Sequence, residues 1–448
     1  MRVYIRHVET MCAWGSRPEG GGIDDLIASV REGRAEAVCV LPMRSFGDDE
    51  AHKLARAFVE SGSTGVREIV VSGRHMLSSD AIEALGRAAR VARVSRVSIG
   101  GARSFGNDGL FALCAGLEGS ESERGNGSDG FLVELDLESR GLQGADAGAR
   151  LSAALRIVMA TTECALKLAD NPNLGDAGCV ALARAGLKPL SRLDLRGCTC
   201  GDEGAVALAD ALYNDAQESQ RLSSATSMPL LRELDVGGDG TPGTGITKAG
   251  AAALARALVA GAKIEKLSLS GNAEIGCAGL RAIAETIGGS PLQSLDVRGI
   301  GAGEDGAFHL ADGLRNTPSH LVELDIGENR IGDAASVRVF EAATAAGVRR
   351  LGLFGVALGD EAVEAMVRTV SPSLAIEELD LGGNGISSQG ANMLLDALVK
   401  DSQLMPALRH LVLGGNPATG GGADTNGIEA HVKALEDVRP GTRIAWRV

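Results

Sequence analysis

Apolar positions along the chain follow two alternating rhythms. The first is a short phrase, Leu-x-x-Leu-x-Leu-x-x-Asn-x-Ile, clearest at Leu321–Ile331 and Ile376–Ile386 and nearly as clear at Ile264–Asn272 and Leu408–Asn416. Its central Leu-x-Leu has the period of two that marks a strand with one buried face. With the first of the paired strand positions as anchor, the series runs Val38, Ile69, Val97, Leu135, Leu166, Leu193, Leu234, Leu267, Leu295, Leu324, Leu351, Leu379 and Leu411, thirteen copies in all. Many steps are 27 to 29 residues long. The second rhythm follows each strand and has i, i+3, i+4 spacing, as in Gly201–Leu212 and Gly175–Leu187, which predicts a one-sided apolar helix. Asp at the second place of these phrases (Asp176, Asp202, Asp333, Asp360) suits a helix N-cap. The recurring Gly178, Gly204, Gly250, Gly279, Gly306 and Gly390 would let the helix approach the strand layer closely.

A strand–turn–helix unit of this size cannot bury its apolar face alone. Stacked copies can, with parallel strands on one side and crossover helices on the other. The pattern resembles the ribonuclease-inhibitor-like class of leucine-rich repeats, whose α/β units are about 28 residues long. That resemblance covers residues 35–440 and implies an α/β fold, a right-handed α/β solenoid or horseshoe of about thirteen repeats with an inner parallel sheet and outer helices. The expected organisation is one solenoid domain over 1–448, with an N-terminal cap (1–36), repeats (37–426) and a C-terminal helix and closing strand (427–448). Val3–Ile5 reads as a short strand and Ile23–Val30 as a helix ahead of the first clear strand, Ala37–Val40. Gly427–Val438 reads as the last helix, and Arg443–Val448 as a strand whose Trp446 points inward as a core lid. Four polar, Gly/Ser-rich insertions break the period: 118–130 and 214–229 between helix and strand, 237–245 and 416–427 between strand and helix. Such insertions map to surface loops.

Composition fits this picture. The chain has 62 Gly and only 3% aromatics, so its core must be Leu, Val and Ala packed at short range. Length alone suggests about three domains of ordinary size, but a solenoid grows by adding repeats. The formal charge is −14, which disfavours duplex nucleic acid and anionic membrane surfaces. No apolar run reaches the ~20 residues of a membrane span, and Met1–Val8 lacks a signal-peptide pattern. Eight scattered cysteines read as reduced thiols in a cytoplasmic protein.

Candidate chemistry is thin. Gly301–Gly306 is a literal G-x-G-x-x-G with Glu323 about twenty residues on, but both are ordinary repeat positions. Gly240–Gly245 lacks the Lys-Ser/Thr of a P-loop, and Asp170–Gly178 lacks the alternating acids and closing Glu of a calcium loop. Cys198 and Cys200 are too closely spaced for a zinc half-site, and Asn126–Ser128 is a glycosylation triplet without a secretory context. The seven histidines show no nucleophile and carboxylate beside them. No catalytic residue, cofactor or metal is therefore implied.

What remains is the strand face away from the core. Alternation places residues at −1, +1 and +3 from each anchor on that concave side. The candidate partner-binding residues are Glu134, Asp136, Arg192, Asp194, Glu233, Asp235, Asp296, Arg298, Glu323, Asp325, Arg350, Phe354, Glu378 and Asp380. Strands lie ~4.8 Å apart, so neighbouring aspartates repel unless Arg192, Arg196 and Arg298 counter them. One outcome is a solvated, self-compensated face; the other is a groove that steers a basic protein segment. The expected function is a non-enzymatic protein–protein interaction scaffold, using this face and the inserted loops. The range of the family adds a fixed subunit of a large assembly, of cytoskeletal or flagellar type. An alternative is a GTPase activator: Val66–Gly73 is similar to the early strand of the Ran-activating branch, which would make Arg103 its essential arginine. The Cys-rich, aromatic-anchored pattern of the nuclease inhibitors is missing.

Overall fold

The computed structural model describes residues 22–41, 45–62, 65–71, 75–99, 105–120, 130–159, 163–184, 186–188, 190–221, 231–316, 319–369, 375–419 and 425–446. Val3–Ile5, Arg103 and Asn126–Ser128 lie outside the described residues. The chain divides into two compact units, Met1–Asp136 and Leu137–Val448.

In the first unit, α1 (Ile23–Arg31), α2 (Asp48–Ser61), α3 (Ser79–Val91) and α4 (Gly106–Glu118) alternate with β1 (Ala37–Val40), β2 (Glu68–Val71), β3 (Arg96–Ile99) and β4 (Glu134–Asp136). The strands pair in parallel, with Val38, Ile69, Val97 and Leu135 in one register line. Helices α3 and α4 meet at Gly86 and Gly116, where a Cβ on Gly116 would stand 2.2 Å from the Glu83 carbonyl. Only glycine permits that approach.

The second unit continues the same grammar with α5 (Gly144–Val158), β5 (Cys164–Lys167), α6 (Gly175–Arg184), β6 (Leu190–Asp194), α7 (Asp202–Arg221), β7 (Glu233–Asp235), α8 (Lys248–Val259) and β8 (Lys266–Ser268). It goes on through α9 (Gly276–Ala284), β9 (Ser294–Asp296), α10 (Glu304–Asn316), β10 (Glu323–Asp325), α11 (Gly332–Ala345) and β11 (Arg350–Gly352). It ends with α12 (Asp360–Thr369), β12 (Glu378–Asp380), α13 (Ser388–Lys400), β13 (His410–Val412), α14 (Thr425–Val438) and β14 (Arg443–Ala445). All neighbouring strands in this unit are parallel. Anchors Leu166 through Leu411 align one to one, and Ile444 of the closing strand joins their line. These anchors are 0–3% exposed from Leu166 to Leu411, which is the hydrophobic term that pins the register. Each unit thus has the α/β repeat fold expected of leucine-rich-repeat solenoids.

Two polar devices join successive repeats. The first is the buried Asn that closes the strand phrase. Asn329 donates from Nδ2 to the Ile326 and Val297 carbonyls at 2.9 and 2.8 Å, and its Oδ1 accepts the Ala302 N–H at 2.9 Å. Asn171, Asn272, Asn384 and Asn416 do the same between their own repeats. Each thereby satisfies turn groups that neither strand nor helix can reach. Cys198 holds the equivalent position and donates its thiol to the Leu168 carbonyl at 2.9 Å.

The second device corrects the expectation that the repeat aspartates cap their own helices. They sit inside the first turn, and their carboxylates reach the next repeat. Asp176 Oδ1 accepts the Gly201 and Gly204 N–H groups, both at 2.8 Å. Asp202 accepts the Thr247 and Gly250 N–H groups at 2.9 and 2.8 Å, and the Thr247 hydroxyl at 2.7 Å. Asp333 accepts Gly359 N–H at 2.6 Å, and Asp360 accepts both the N–H and the hydroxyl of Ser387 at 2.8 and 2.5 Å. Side-chain caps are supplied instead by residues such as Ser78, Thr247 and Ser387. Three of the recurrent helical glycines, Gly204, Gly250 and Gly390, are the other half of this latch, whereas Gly178, Gly279 and Gly306 make room for Leu174, Ile275 and Cys277. A Cβ at Gly250 would lie 2.6 Å from Asp202 Oδ1, and one at Gly390 only 2.1 Å from Asp360 Oδ1.

Three local expectations change as well. Helix α7 runs on to Arg221, so the first half of the 214–229 insertion is helical, stapled by a Lys188–Glu218 ion pair. The last helix begins at Thr425, two residues early. Trp446 and Ile444 are half-buried and do not seal the end of the core. No helix among the described residues is long and apolar enough to cross a membrane.

Candidate functional site

Strand alternation exposes the residues on either side of each anchor. In the first unit this places Glu134 and Asp136 half-buried on β4 and leaves Glu68 and Arg96 accessible in the column of Glu134, but the positions matching Asp136 on β2 and β3, Val70 and Ser98, are buried. The extended polar face belongs to the second unit. It holds Arg192 and Asp194 on β6, Glu233 and Asp235 on β7, Asp296 on β9, Glu323 and Asp325 on β10, Arg350 on β11, and Glu378 and Asp380 on β12. Arg298 and Phe354 follow β9 and β11 by two residues, and Phe354 is 38% exposed.

The −1 column is largely self-paired. Glu233 takes Arg192 at 2.5 Å and Lys266 at 2.7 Å, one on each side, and Arg350 reaches Glu323 at 3.0 Å. Burial opposes the charge of Glu233, yet Lys266 and Arg192 outweigh it and hold its pKa low. Lys266 was not among the candidates, although its place in the same column is the signal that finds it. Arg192 therefore serves Glu233 and not the aspartates, contrary to the expected countering of Asp194 and Asp235. Arg298 is shared: it binds Glu328 at 2.6 Å and stands 4.0 Å from Asp325, and although burial works against its charge, Asp325 and Glu328 keep its pKa raised. Arg196 does meet the expectation. Burial works against its charge, but Asp194 and Asp235 keep its pKa raised.

The +1 column behaves differently. Each aspartate folds one oxygen back onto its own strand end, where Asp194, Asp235, Asp296, Asp325 and Asp380 accept the N–H two residues on at 2.8–3.1 Å. This Asx turn is why Asp recurs between the two leucines. Crowding remains in the middle of the row. Burial and then the Asp194 charge push Asp235 up to about 6, against the Gly237 N–H and Arg196. Burial and then Asp296 push Asp325 up to about 7, against the Gly327 N–H and Arg298. Asp296 is raised too, chiefly by burial. A row of partly desolvated like charges is one that an incoming cation relieves.

Glu328 was also missed by sequence reasoning. It occupies the turn position after the strand that Gly299 and Gly355 fill in adjacent repeats, at φ 56° against their 59° and 64°. A non-glycine there is strained by about 1 kcal/mol, and its carboxylate is what holds Arg298. Among the described residues no group of three or more His, Cys, Asp or Glu is placed to hold a metal ion. On the helix side, a groove of about 680 Å³ lies between α6 and α7, lined by Val180, Ala183, Val206, Ala207 and Asp210 among others.

Comparison with known proteins agrees with this architecture. The Leucine Rich repeat family profile matches residues 187–209, 317–335 and 376–395. Ribonuclease inhibitor of Sus scrofa is 27% identical, over 70% of this chain and 82% of that protein. "NACHT, LRR and PYD domains-containing protein 14" of Mus musculus is 26% identical over 44% of this chain but only 18% of its own length. Among solved structures, a chain of the yeast Rad7 and Elc1 complex superposes with a TM-score of 0.53 at 15% identity, covering 94% of this chain and 87% of that one, a likeness of fold. In sequence and in fold the chain is similar to leucine-rich-repeat proteins of the ribonuclease-inhibitor-like class.

Proposed function

We propose that this protein is a non-catalytic scaffold in the cytoplasm. It binds a protein partner that presents a basic segment, through the outward strand face of the second unit and the loops beside it. The observation that carries the reading is the aspartate row. Five strands of this unit place a carboxylate at the same height, and its central members are held above the ordinary carboxylate range by burial and by one another. The −1 column contributes specificity more than net charge, because it alternates in sign and pairs with itself. Membership of a complex fits the same reading: a ribonuclease inhibitor is named for acting on another protein, and the yeast fold relative was solved with a second protein.

The test uses Asp→Asn changes, since asparagine keeps the oxygen that accepts the backbone N–H while removing the charge. Tagged wild type and the triple variant Asp235→Asn/Asp296→Asn/Asp325→Asn are recovered natively with their bound proteins, and the affinity of the recovered partner is measured. The reading expects at least a tenfold loss that shrinks in high salt. An unchanged affinity in a folded triple variant would remove the strand face from the interaction.

A further inference from the structure

We propose that the strand face contains a subsite for a single arginine side chain of the partner, seated on the Phe354 ring between Asp325 and Asp380; this rests on reading that face as the partner surface. Phe354 sits three residues past anchor Leu351, where the flanking repeats have Gly327 and Gly382. The ring therefore rises between two glycine stretches of backbone, the first overlain by Arg298, whose Cγ is 3.5 Å from the Cβ position of Gly327. It lies down on the second of these. Its Cδ2 is 3.1 Å from where a Cβ of Gly382 would be, and its Cζ 2.7 Å from that of Gly383. Side chains at either place would lift the ring. With glycine there, one edge is packed and 38% of the residue stays open to solvent.

The carboxylates are placed by the same glycine pattern. Asp380 Oδ1 is also 3.1 Å from the Cβ position of Gly382, so it lies within about 6 Å of the ring's Cδ2. On β11 the aspartate of the row is replaced by Gly352, and the Asp325 carboxyl carbon leans over it, 2.6 Å from where a Cβ would stand. Gly352 and Phe354 share one face of that strand, two residues apart. The aromatic surface is thus flanked by an acid along the strand and another across it. Glu328 adds a third acid close by, its Cγ 3.9 Å from the Cβ position of Gly355.

The resident cations leave room: Arg298 binds Glu328 at 2.6 Å and reaches Asp325 only at 4.0 Å, and Arg350 binds Glu323. An aromatic face beside carboxylates favours guanidinium over ammonium. The planar fork can stack on the ring and direct N–H groups sideways to acids at the same time, whereas a lysine offers a compact, strongly hydrated charge. Asp325, held up near neutral pH by burial and Asp296, gains from such a neighbour by shedding its proton.

Fluorescence anisotropy with labelled hexa-arginine and hexa-lysine peptides at low salt tests this on the full chain. Wild type should bind hexa-arginine more tightly than hexa-lysine. Phe354→Ala and Phe354→Leu should each weaken hexa-arginine by about two- to fivefold and erase the preference, with thermal unfolding unchanged. Leucine keeps the apolar contact with the glycines, so its loss isolates the ring face. Suppose both peptides lose affinity in Asp325→Asn/Asp380→Asn while Phe354→Ala binds like wild type. The arginine subsite is then wrong and the acidic strand face survives. If neither peptide binds wild type, the strand-face reading fails and the subsite fails with it.

Discussion

At the scale of single residues, the buried asparagines carry more than their number suggests. Removing the Asn329 side chain orphans the Val297 and Ile326 carbonyls and the Ala302 N–H together. At about 1–3 kcal/mol for an unsatisfied buried group, partly relieved by water, Asn329→Leu should cost about 2–4 kcal/mol in urea unfolding despite the apolar gain. Aspartates of two kinds respond to pH with opposite signs. Asp202 has a lowered pKa: burial would raise it, but the Thr247 and Gly250 donors win. Its contribution is present above the unfolded pKa and is lost as pH falls through the folded value. Asp235 and Asp325 have raised pKa values, about 6 and about 7. Between the unfolded value near 3.9 and these folded values, the native state binds more protons than the unfolded chain, so stability falls as pH rises across that window. The urea midpoint of the wild type should therefore decline from pH 5 to pH 8. Asp325→Asn should flatten that decline, and an unchanged slope would show that the carboxyl is not perturbed.

At the scale of elements, the Asp–Gly latch joins the first-turn aspartates and the glycines Gly204, Gly250 and Gly390 in one contact. The helix starts and the recurring glycines were both legible, but their meaning was not. A single repeat shows an Asp in a first turn, for which capping is the local reading. The partner lies 28 residues away from Asp176 at Gly204, and 48 away from Asp202 at Gly250 across an insertion. Only the three-dimensional stacking joins them. Gly390→Ala would improve intrinsic helix propensity by about 1 kcal/mol, yet its methyl would meet Asp360 Oδ1 at 2.1 Å. The net effect on the thermal midpoint should be a loss worth about 1–3 kcal/mol. A rise in the midpoint would mean that the latch gives way freely. The register itself was fully readable, because a period-two pattern repeated with Leu at each anchor leaves one face to bury. The extension of α7 to Arg221 was missed because its sequence, Asn-Asp-Ala-Gln-Glu-Ser-Gln, is polar all round and is held by the Lys188–Glu218 pair outside its own periodicity.

At the scale of the whole molecule, a repeat array distributes stability over neighbours instead of concentrating it in one core. Damage to one Asn in the second unit should therefore stay local. In hydrogen exchange, Asn329→Leu should loosen the β9–β11 repeats and leave β5 and β6 protected; uniform loosening would show a single cooperative core. Function is less legible than fold because the outward columns look alike from one repeat to the next. The sequence pattern places Asp235, Asp296 and Asp325 on one face, but not the backbone bonds that occupy half of each carboxylate, nor the glycine floor under Phe354. The most direct test of the central claim, that this face binds the partner, is site-specific photo-crosslinking in the native complex. A photoreactive amino acid is placed at Glu378 on the strand face or at Val206 on the groove between α6 and α7. The account predicts a partner adduct from position 378 and none from 206. An adduct from 206 alone would put the interaction on the helices and contradict it.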